Sequence, residues 1–83
     1  MIQVQLRYFA SIREAVGCGH EAWETRAITV AQLRQELLAR GASFQCLAEG
    51  NPVRMALNQV MCQPSDLLVP GCEVAFFPPV TGG

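Results

Sequence analysis

With 83 residues, the chain has room for one domain, which would bury about two thirds of the surface of its unfolded form. Apolar residues make up 51% and charged residues 16% of the chain, a balance that favours a folded globule over a disordered segment. The formal net charge is −1 and the six basic residues, all arginine, form no basic stripe, so nucleic acid is not expected as a ligand.

The N-terminus alternates polar and apolar residues, which is not the pattern of a signal peptide, and no apolar stretch approaches membrane-spanning length. We therefore expect a cytoplasmic protein with no membrane partner. The cysteines form no Cys-x-x-Cys pair and His20 is the only histidine, so no metal site is predicted. In a reducing compartment we expect free thiols at all four positions, Cys18, Cys46, Cys62 and Cys72.

The first half of the chain predicts two strands and two helices. Apolar residues alternate from Ile2 to Tyr8, the pattern of a strand with one buried face. Residues 9–16 have helical spacing and stop at Gly17, which indicates a short helix with a glycine end. A second strand is predicted over His20–Thr25. Thr29 and Gln32 form a capping box that predicts the main helix over residues 30–40.

The second half predicts strands separated by turns. Residues 42–50 are irregular, with one short helical turn around residues 44–47. Alternation at residues 53–57, a turn at Asn58-Gln59 and a short strand at residues 60–62 indicate a hairpin, although the turn lacks the glycine that tight hairpins prefer. Glu73–Phe77 is the last strand. The element order predicts an α+β domain in which one sheet packs on one main helix.

The last strand carries a docking prediction. Its long apolar run indicates a central strand that pairs in parallel with the first strand. Val74 and Phe76 would then face the helix, and Phe77 would lie on the open side of the sheet. There Phe77 is either an exposed docking anchor or covered by a loop of its own chain. Phe9 and one of Val60 or Met61 would extend the same apolar surface.

The chain ends in a stiff, uncharged tail. Proline ends strand pairing and projects the chain outward. The last four residues, if extended at roughly 3.3 Å per residue, would reach about 13 Å, enough to enter a pocket of another protein. Glycine has no Cβ, so a partner enzyme can approach the terminal carboxylate closely. The predicted tail comprises Pro78, Pro79, Val80, Thr81, Gly82 and Gly83. The chain has no lysine, so no side-chain amine can trap an activated terminal carboxyl.

Residues 71–83, with the sequence GCEVAFFPPVTGG, resemble the C-terminus of the small subunit of molybdopterin synthase, the MoaD family. The resemblance spans the chain, because Arg13-Glu14, Leu33-Arg34 and residues 56–59 fall in the order of that family. Cys72 departs from the acidic residue expected before Glu73, but we place it in a turn, where it leaves the tail intact.

The resemblance implies a ubiquitin-like β-grasp fold, a mixed sheet of four to five strands packed on one main helix, in a single domain over residues 1–83. It also implies that the Gly83 carboxylate is adenylated by a ubiquitin-activating-like adenylyltransferase that uses ATP. The adenylate is then converted to a thiocarboxylate, which donates sulfur to the cyclic pyranopterin precursor in the active site of the large subunit. The chain would be a non-catalytic subunit with no permanently bound cofactor, in a heterotetramer with two large subunits.

Three other functions remain open from the residues. The chain resembles sulfur carriers for thiamine, tRNA thiolation or cysteine synthesis, which share the diglycine end, although the double proline and Phe76-Phe77 favour the molybdopterin branch. A ubiquitin-like modifier would form amide bonds with lysines of target proteins. A plain interaction module would have an inert tail.

Overall fold

The computed structural model describes residues 1–48 and 50–79 as a five-stranded mixed sheet with strand order β2-β1-β5-β3-β4. The elements are β1 Ile2–Tyr8, α1 Ala10–Val16, β2 His20–Thr25, α2 Val30–Leu38, a 3-10 helix Ala42–Leu47, β3 Arg54–Leu57, β4 Val60–Met61 and β5 Glu73–Phe77. The predicted tail is therefore described only as far as Pro79, and Val80, Thr81, Gly82 and Gly83 lie outside the described residues.

Strand β5 is central, as the apolar run predicts. It pairs in parallel with β1, Leu6 opposite Val74, and antiparallel with β3, where Arg54 stands opposite Phe77. Strand β2 pairs antiparallel with β1 and forms one edge of the sheet, and β4 forms the other edge. A parallel pair of first and last strands at the centre of a mixed sheet is the β-grasp arrangement, so the predicted fold class is confirmed.

The main core lies between the sheet and α2. Each of the three central strands sends alternate side chains to this face, and α2 covers them with one apolar stripe. Tyr8 stacks on Phe76 with ring centroids 6.0 Å apart and meets Phe44 of the 3-10 helix edge to face at 6.1 Å. The core residues with no exposed surface include Val4, Leu6, Val30, Leu33, Leu37, Val74 and Phe76.

Both helices begin close to where the sequence predicts. The Thr29 hydroxyl accepts a hydrogen bond from the Gln32 amide, and the Gln32 side chain accepts one from the Ile28 amide, one residue earlier than a standard capping box. Helix α2 ends at Leu38, two residues before the predicted end. Helix α1 ends at Val16 and is followed by Gly17, whose φ of 94° is the left-handed conformation that favours glycine.

The β3–β4 hairpin forms without a glycine. Leu57 pairs with Val60, so Asn58 and Gln59 make a two-residue turn, and both have positive φ, 50° and 69°. Two positive φ angles identify the type I′ geometry that matches the twist of a hairpin. The Asn58 side chain accepts a hydrogen bond from the Glu73 amide, which fastens the turn to the start of β5.

The edge strand β2 is held to the helical layer by a polar cluster. Glu21 accepts hydrogen bonds from the Tyr8 hydroxyl at 2.8 Å and from the Arg40 guanidinium at 2.7 Å. That guanidinium lies 4.4 Å from the ring centroid of Trp23 and 4.3 Å from that of Phe44. A planar cation between two aromatic faces is a favourable arrangement. The cluster thus joins β1, β2 and the helical layer.

Cys72 lies at the end of the predicted turn, since its amide donates a hydrogen bond to the Val69 carbonyl. Its side chain is nevertheless 2% exposed and belongs to the main core. The chain turns at Gly71, and the next side chain points into the core because β5 begins immediately afterwards. Within residues 1–48 and 50–79, no helix has the length and apolar character needed to cross a membrane.

Candidate functional site

The face of the sheet opposite α2 carries an apolar surface at the end where β5 finishes. Side chains alternate along each strand, so Ala75 and Phe77 lie on this open face while Val74 and Phe76 enter the core. The predicted orientation of Phe77 is therefore confirmed. Strand pairing ends here, because the residue that follows, Pro78, has no amide hydrogen.

Phe9 and Phe77 form the centre of this surface. Their rings meet edge to face, with centroids 6.5 Å apart and an interplanar angle of 84°. The Phe9 amide donates a hydrogen bond to the Phe76 carbonyl, which holds the residue after β1 beside the end of β5. Phe9 was predicted inside α1 but is its extended N-cap, so its ring turns to the open face and remains 42% exposed.

The third predicted docking residue lies on the same face. Met61 stands opposite Ala56, and Ala56 stands opposite Ala75, so a row of small side chains leads from the edge strand to β5. Met61 is 54% exposed. Val60, the alternative to Met61, pairs with Leu57 and belongs to the other face. We call this surface the open-face patch and define it by five residues, Phe9, Ala56, Met61, Ala75 and Phe77.

Phe77 is partly covered, and an aromatic ring of its own chain contributes to the cover. Its side chain is half-buried, and the ring of Phe9 meets it edge to face. Pro78 and Pro79 are also half-buried and extend the chain beyond the strand. An aromatic pair at the base of the tail therefore remains accessible to a partner.

The sequence did not predict the charged residues around the patch, because the arginines form no basic stripe along the chain. The Arg7 guanidinium carbon lies 5.7 Å from the Phe9 ring centroid, and a guanidinium nitrogen lies 3.5 Å from Glu73. Arg54 stands opposite Phe77 across the β3–β5 pair. Strand alternation could have predicted these positions. Arg7 and Arg54 each lie two residues before a residue of the patch, and residues two apart on a strand share a face.

The part of the chain that the structure describes shows no metal centre and two thiols of low reactivity. No cluster of three His, Cys, Asp or Glu side chains is placed to hold a metal within residues 1–48 and 50–79. Burial raises the pKa of the Cys46 thiol. Burial and then the nearby Asp66 carboxylate raise the pKa of Cys62. These two thiols are thus less ionised than a free cysteine and are poor nucleophiles. The accessible feature of the site is the patch with the tail that leaves it.

Sequence comparison gives two curated relatives with the same name. The molybdopterin synthase sulfur carrier subunit of Escherichia coli is 36% identical over 80 residues, which cover 96% of this chain and 99% of that protein. The subunit of the same name from Haemophilus influenzae is 33% identical over 76 residues, which cover 92% and 94% of the two chains.

Solved structures share the whole fold. Subunit 1 of a molybdopterin converting factor from Pyrococcus furiosus matches with a TM-score of 0.81 at 28% identity, over 96% of this chain and 100% of that chain. Small archaeal modifier protein 1 from Haloferax volcanii matches with a TM-score of 0.81 at 20% identity, over 98% and 99%. The Helicobacter pylori complex of molybdopterin-converting factor subunits 1 and 2 contains a chain that matches with a TM-score of 0.70 at 24% identity, over 99% and 100%.

The family model described as the ThiS family matches residues 6–83, which include both aromatic residues of the patch and the diglycine end. This match covers all the elements described above except the start of β1. The chain therefore belongs to the ThiS family.

Proposed function

We propose that this chain is the sulfur-carrier small subunit of a molybdopterin synthase and that Gly83 carries the sulfur. The observation that best supports this role is the Phe9–Phe77 contact, which places an accessible aromatic anchor where the chain leaves the sheet toward its C-terminus. The names of the two curated relatives favour the molybdopterin branch over thiamine and other pathways.

The chemistry of the proposal takes place at the terminal carboxylate. A carboxylate oxygen is a poor leaving group, so an adenylyltransferase partner uses ATP to convert the Gly83 carboxylate to an acyl-adenylate. Sulfide supplied by a sulfur donor then attacks the acyl carbon, so that AMP leaves and a thiocarboxylate remains. In the active site of the large subunit, this sulfur bonds to the cyclic pyranopterin precursor, and water then cleaves the acyl carbon–sulfur bond and restores the Gly83 carboxylate. The glycines have no Cβ, so the activating and transferring enzymes can approach the carbonyl closely.

The chain supplies the reacting atom and its partners supply the catalytic groups. The raised pKa values of Cys46 and Cys62 disfavour nucleophilic catalysis by those thiols. Docking through the open-face patch makes delivery of the tail effectively intramolecular, and that is the rate advantage that the fold contributes. No cofactor is permanently bound in this proposal, since ATP is consumed by the partner.

The proposal also includes a protein partner, an assembly with that partner and a cellular location. The Helicobacter pylori complex joins a chain of this fold to a second subunit, which supports a large-subunit partner for this chain. We propose a heterotetramer of two carriers and two large subunits. We also propose action in the cytoplasm, where four free thiols and an ATP-dependent activating enzyme are compatible with the reducing conditions.

Intact-protein mass spectrometry tests the proposal. The full chain is incubated with the adenylyltransferase of its organism, ATP and a sulfur source, with omission of ATP as the control. We expect a sulfur-for-oxygen mass increase at the C-terminal residue only when ATP is present. A covalent ladder on lysine-bearing proteins, without the mass increase on the free chain, would instead identify a protein modifier, and an archaeal protein of the same fold is named as a modifier.

A further inference from the structure

The arginines are distributed unevenly in a chain whose net charge is −1. Arg34 donates to the carbonyls of Leu47 and Ala48, and Arg40 pairs with Glu21, both on the helical side of the sheet. Arg26 follows the end of β2, at the end of the sheet away from the tail. The other three, Arg7, Arg13 and Arg54, lie around the open-face patch and in the cleft beside it.

Arg7 and Arg54 border the patch on its two sides. Arg7 lies over the exposed Phe9 ring, and its side chain remains 45% exposed although Glu73 is 3.5 Å away. Arg54 is exposed on β3, opposite Phe77. Both guanidinium groups thus stand next to apolar surface that a partner would cover. Arginine is enriched in such positions because its planar cation binds carboxylates bidentately and packs on aromatic rings.

A cleft of about 330 Å³ continues the positive surface beyond Phe9. It is lined by Arg7, Tyr8, Phe9, Arg13, Gly19 and His20. Arg7 and His20 are opposite each other on the open face of the β1–β2 pair. A Cβ on Gly19 would come within 3.0 Å of the Arg13 Nε, so this glycine leaves room for the guanidinium at the cleft. None of the residues that line the cleft is acidic.

We propose that the open-face patch and its arginine border, Arg7, Arg13 and Arg54, form a docking surface for an acidic surface of the synthase large subunit. This inference rests on the proposed function, because it names the chemistry of the partner at the same site. The aromatic pair provides the apolar contact. The three guanidinium groups pair with carboxylates at the rim, and the cleft beside Phe9 receives one of them.

Charge at the rim of an interface acts mainly on the association rate. Complementary potentials steer the encounter of two proteins, and salt screens that attraction over roughly 10 Å at 0.1 M ionic strength. The apolar contact between the two phenylalanines and the partner acts mainly on dissociation. The two contributions can therefore be separated by kinetics at several salt concentrations.

Stopped-flow association with the purified large subunit tests the inference on the full chain. We expect the association rate of the unmodified chain to fall as salt rises from 50 to 500 mM. Arg7→Gln/Arg13→Gln should lower the rate at low salt by about three- to tenfold and flatten its salt dependence, with little change in the dissociation rate. Arg54→Gln should do the same to a smaller extent. Arg26→Gln is the matched control and should behave like the unmodified chain.

Three results would overturn the inference. The first is an association rate that does not respond to salt or rises with it, and the second is an equal effect of Arg26→Gln. The third is that the arginine substitutions slow association with the adenylyltransferase but leave association with the large subunit unchanged. Each leaves the sulfur-carrier role intact, because the large subunit still binds. Absence of any complex between the unmodified chain and the large subunit would contradict the proposed function as well. Thermal unfolding of every variant confirms that the fold is retained.

Discussion

Phe9 and Phe77 are 68 positions apart in sequence, yet their rings meet edge to face with centroids 6.5 Å apart. One follows the first strand and the other ends the last strand, and the parallel β1–β5 pair brings them together at one end of the sheet. The backbone bond from the Phe9 amide to the Phe76 carbonyl fixes this junction. The base of the tail is thus supported by the strand pair at the centre of the fold.

Replacement of Phe77 should affect binding more than folding. We expect Phe77→Ala to weaken the complex with the large subunit by about 2 kcal/mol, or roughly thirtyfold in Kd, because aromatic anchors dominate interface energies. Phe76→Ala is the matched control on the adjacent, fully buried position. It should instead cost about 3–5 kcal/mol in the free energy of unfolding. Calorimetric titration and urea unfolding measure the two quantities. Equal affinity of Phe77→Ala and the unmodified chain would contradict a docking role.

Deletion of Gly83 should separate folding from sulfur transfer. Gly83 has no side chain to bury, so we expect an unchanged unfolding midpoint. We also expect no thiocarboxylate and no molybdopterin, because the reacting carboxyl is then on another residue, one position short of the active site. Product analysis in a reconstituted synthase measures the loss. Product formation by the shortened chain at the rate of the full chain would refute the role of the tail.

The hairpin turn offers a stabilising substitution. Gln59 has a φ of 69° in a turn that glycine adopts without steric cost. Gln59→Gly should raise the free energy of unfolding by about 0.5–1 kcal/mol, after the entropy cost of glycine in the unfolded chain is subtracted. Gln63→Gly, at an exposed position that begins the next turn and has no positive φ, serves as the control and should not stabilise. A lower midpoint for Gln59→Gly would show that the side chain itself stabilises the turn.

The polar cluster at β2 predicts a pH dependence of stability. Burial opposes ionisation of Glu21, but hydrogen bonds from Arg40 and Tyr8 outweigh it and hold the pKa of Glu21 below its usual value. The ionised carboxylate therefore stabilises the fold above the pKa of the unfolded chain, and this contribution is lost as the pH falls through the folded pKa. Glu21→Gln should cost about 0.5–1 kcal/mol at pH 7.

The difference between Glu21→Gln and the unmodified chain should shrink below about pH 4.5, the ordinary value for a glutamate. Urea unfolding at several pH values measures it. Glu24→Gln, on the exposed side of the same strand, is the control and should show a smaller effect at pH 7. A difference that grows toward low pH would reverse the predicted sign.

Local sequence patterns predicted most of the helices and strands. They also predicted the orientation of Phe77 in the open-face patch. The alternation of β1, the Thr29 cap and the glycine after α1 each depend on contacts within a few residues, so they can be recognised in sequence. The two strands β2 and β5 have the predicted bounds. The orientation of Phe77 follows from the period of a strand once β5 is central.

Other features depend on contacts between distant residues. Phe9 satisfies helical spacing, but its position as an extended N-cap beside β5 turns the ring to the open face. Cys72 follows a turn signal, yet the start of β5 directs its thiol into the core. The choice between Val60 and Met61 required the hairpin register, because a shift of one residue exchanges the two faces.

By itself, the sequence determined the strand and helix order, the aromatic end of the last strand and a C-terminus with no side chains at its tip, because these are properties of consecutive residues. Only the tertiary structure decided that Phe9 joins Phe77 and that Arg7, Arg13 and Arg54 gather around them. The pairing of the first and last strands brings residues more than 60 positions apart onto one face. No local pattern of residues encodes that juxtaposition.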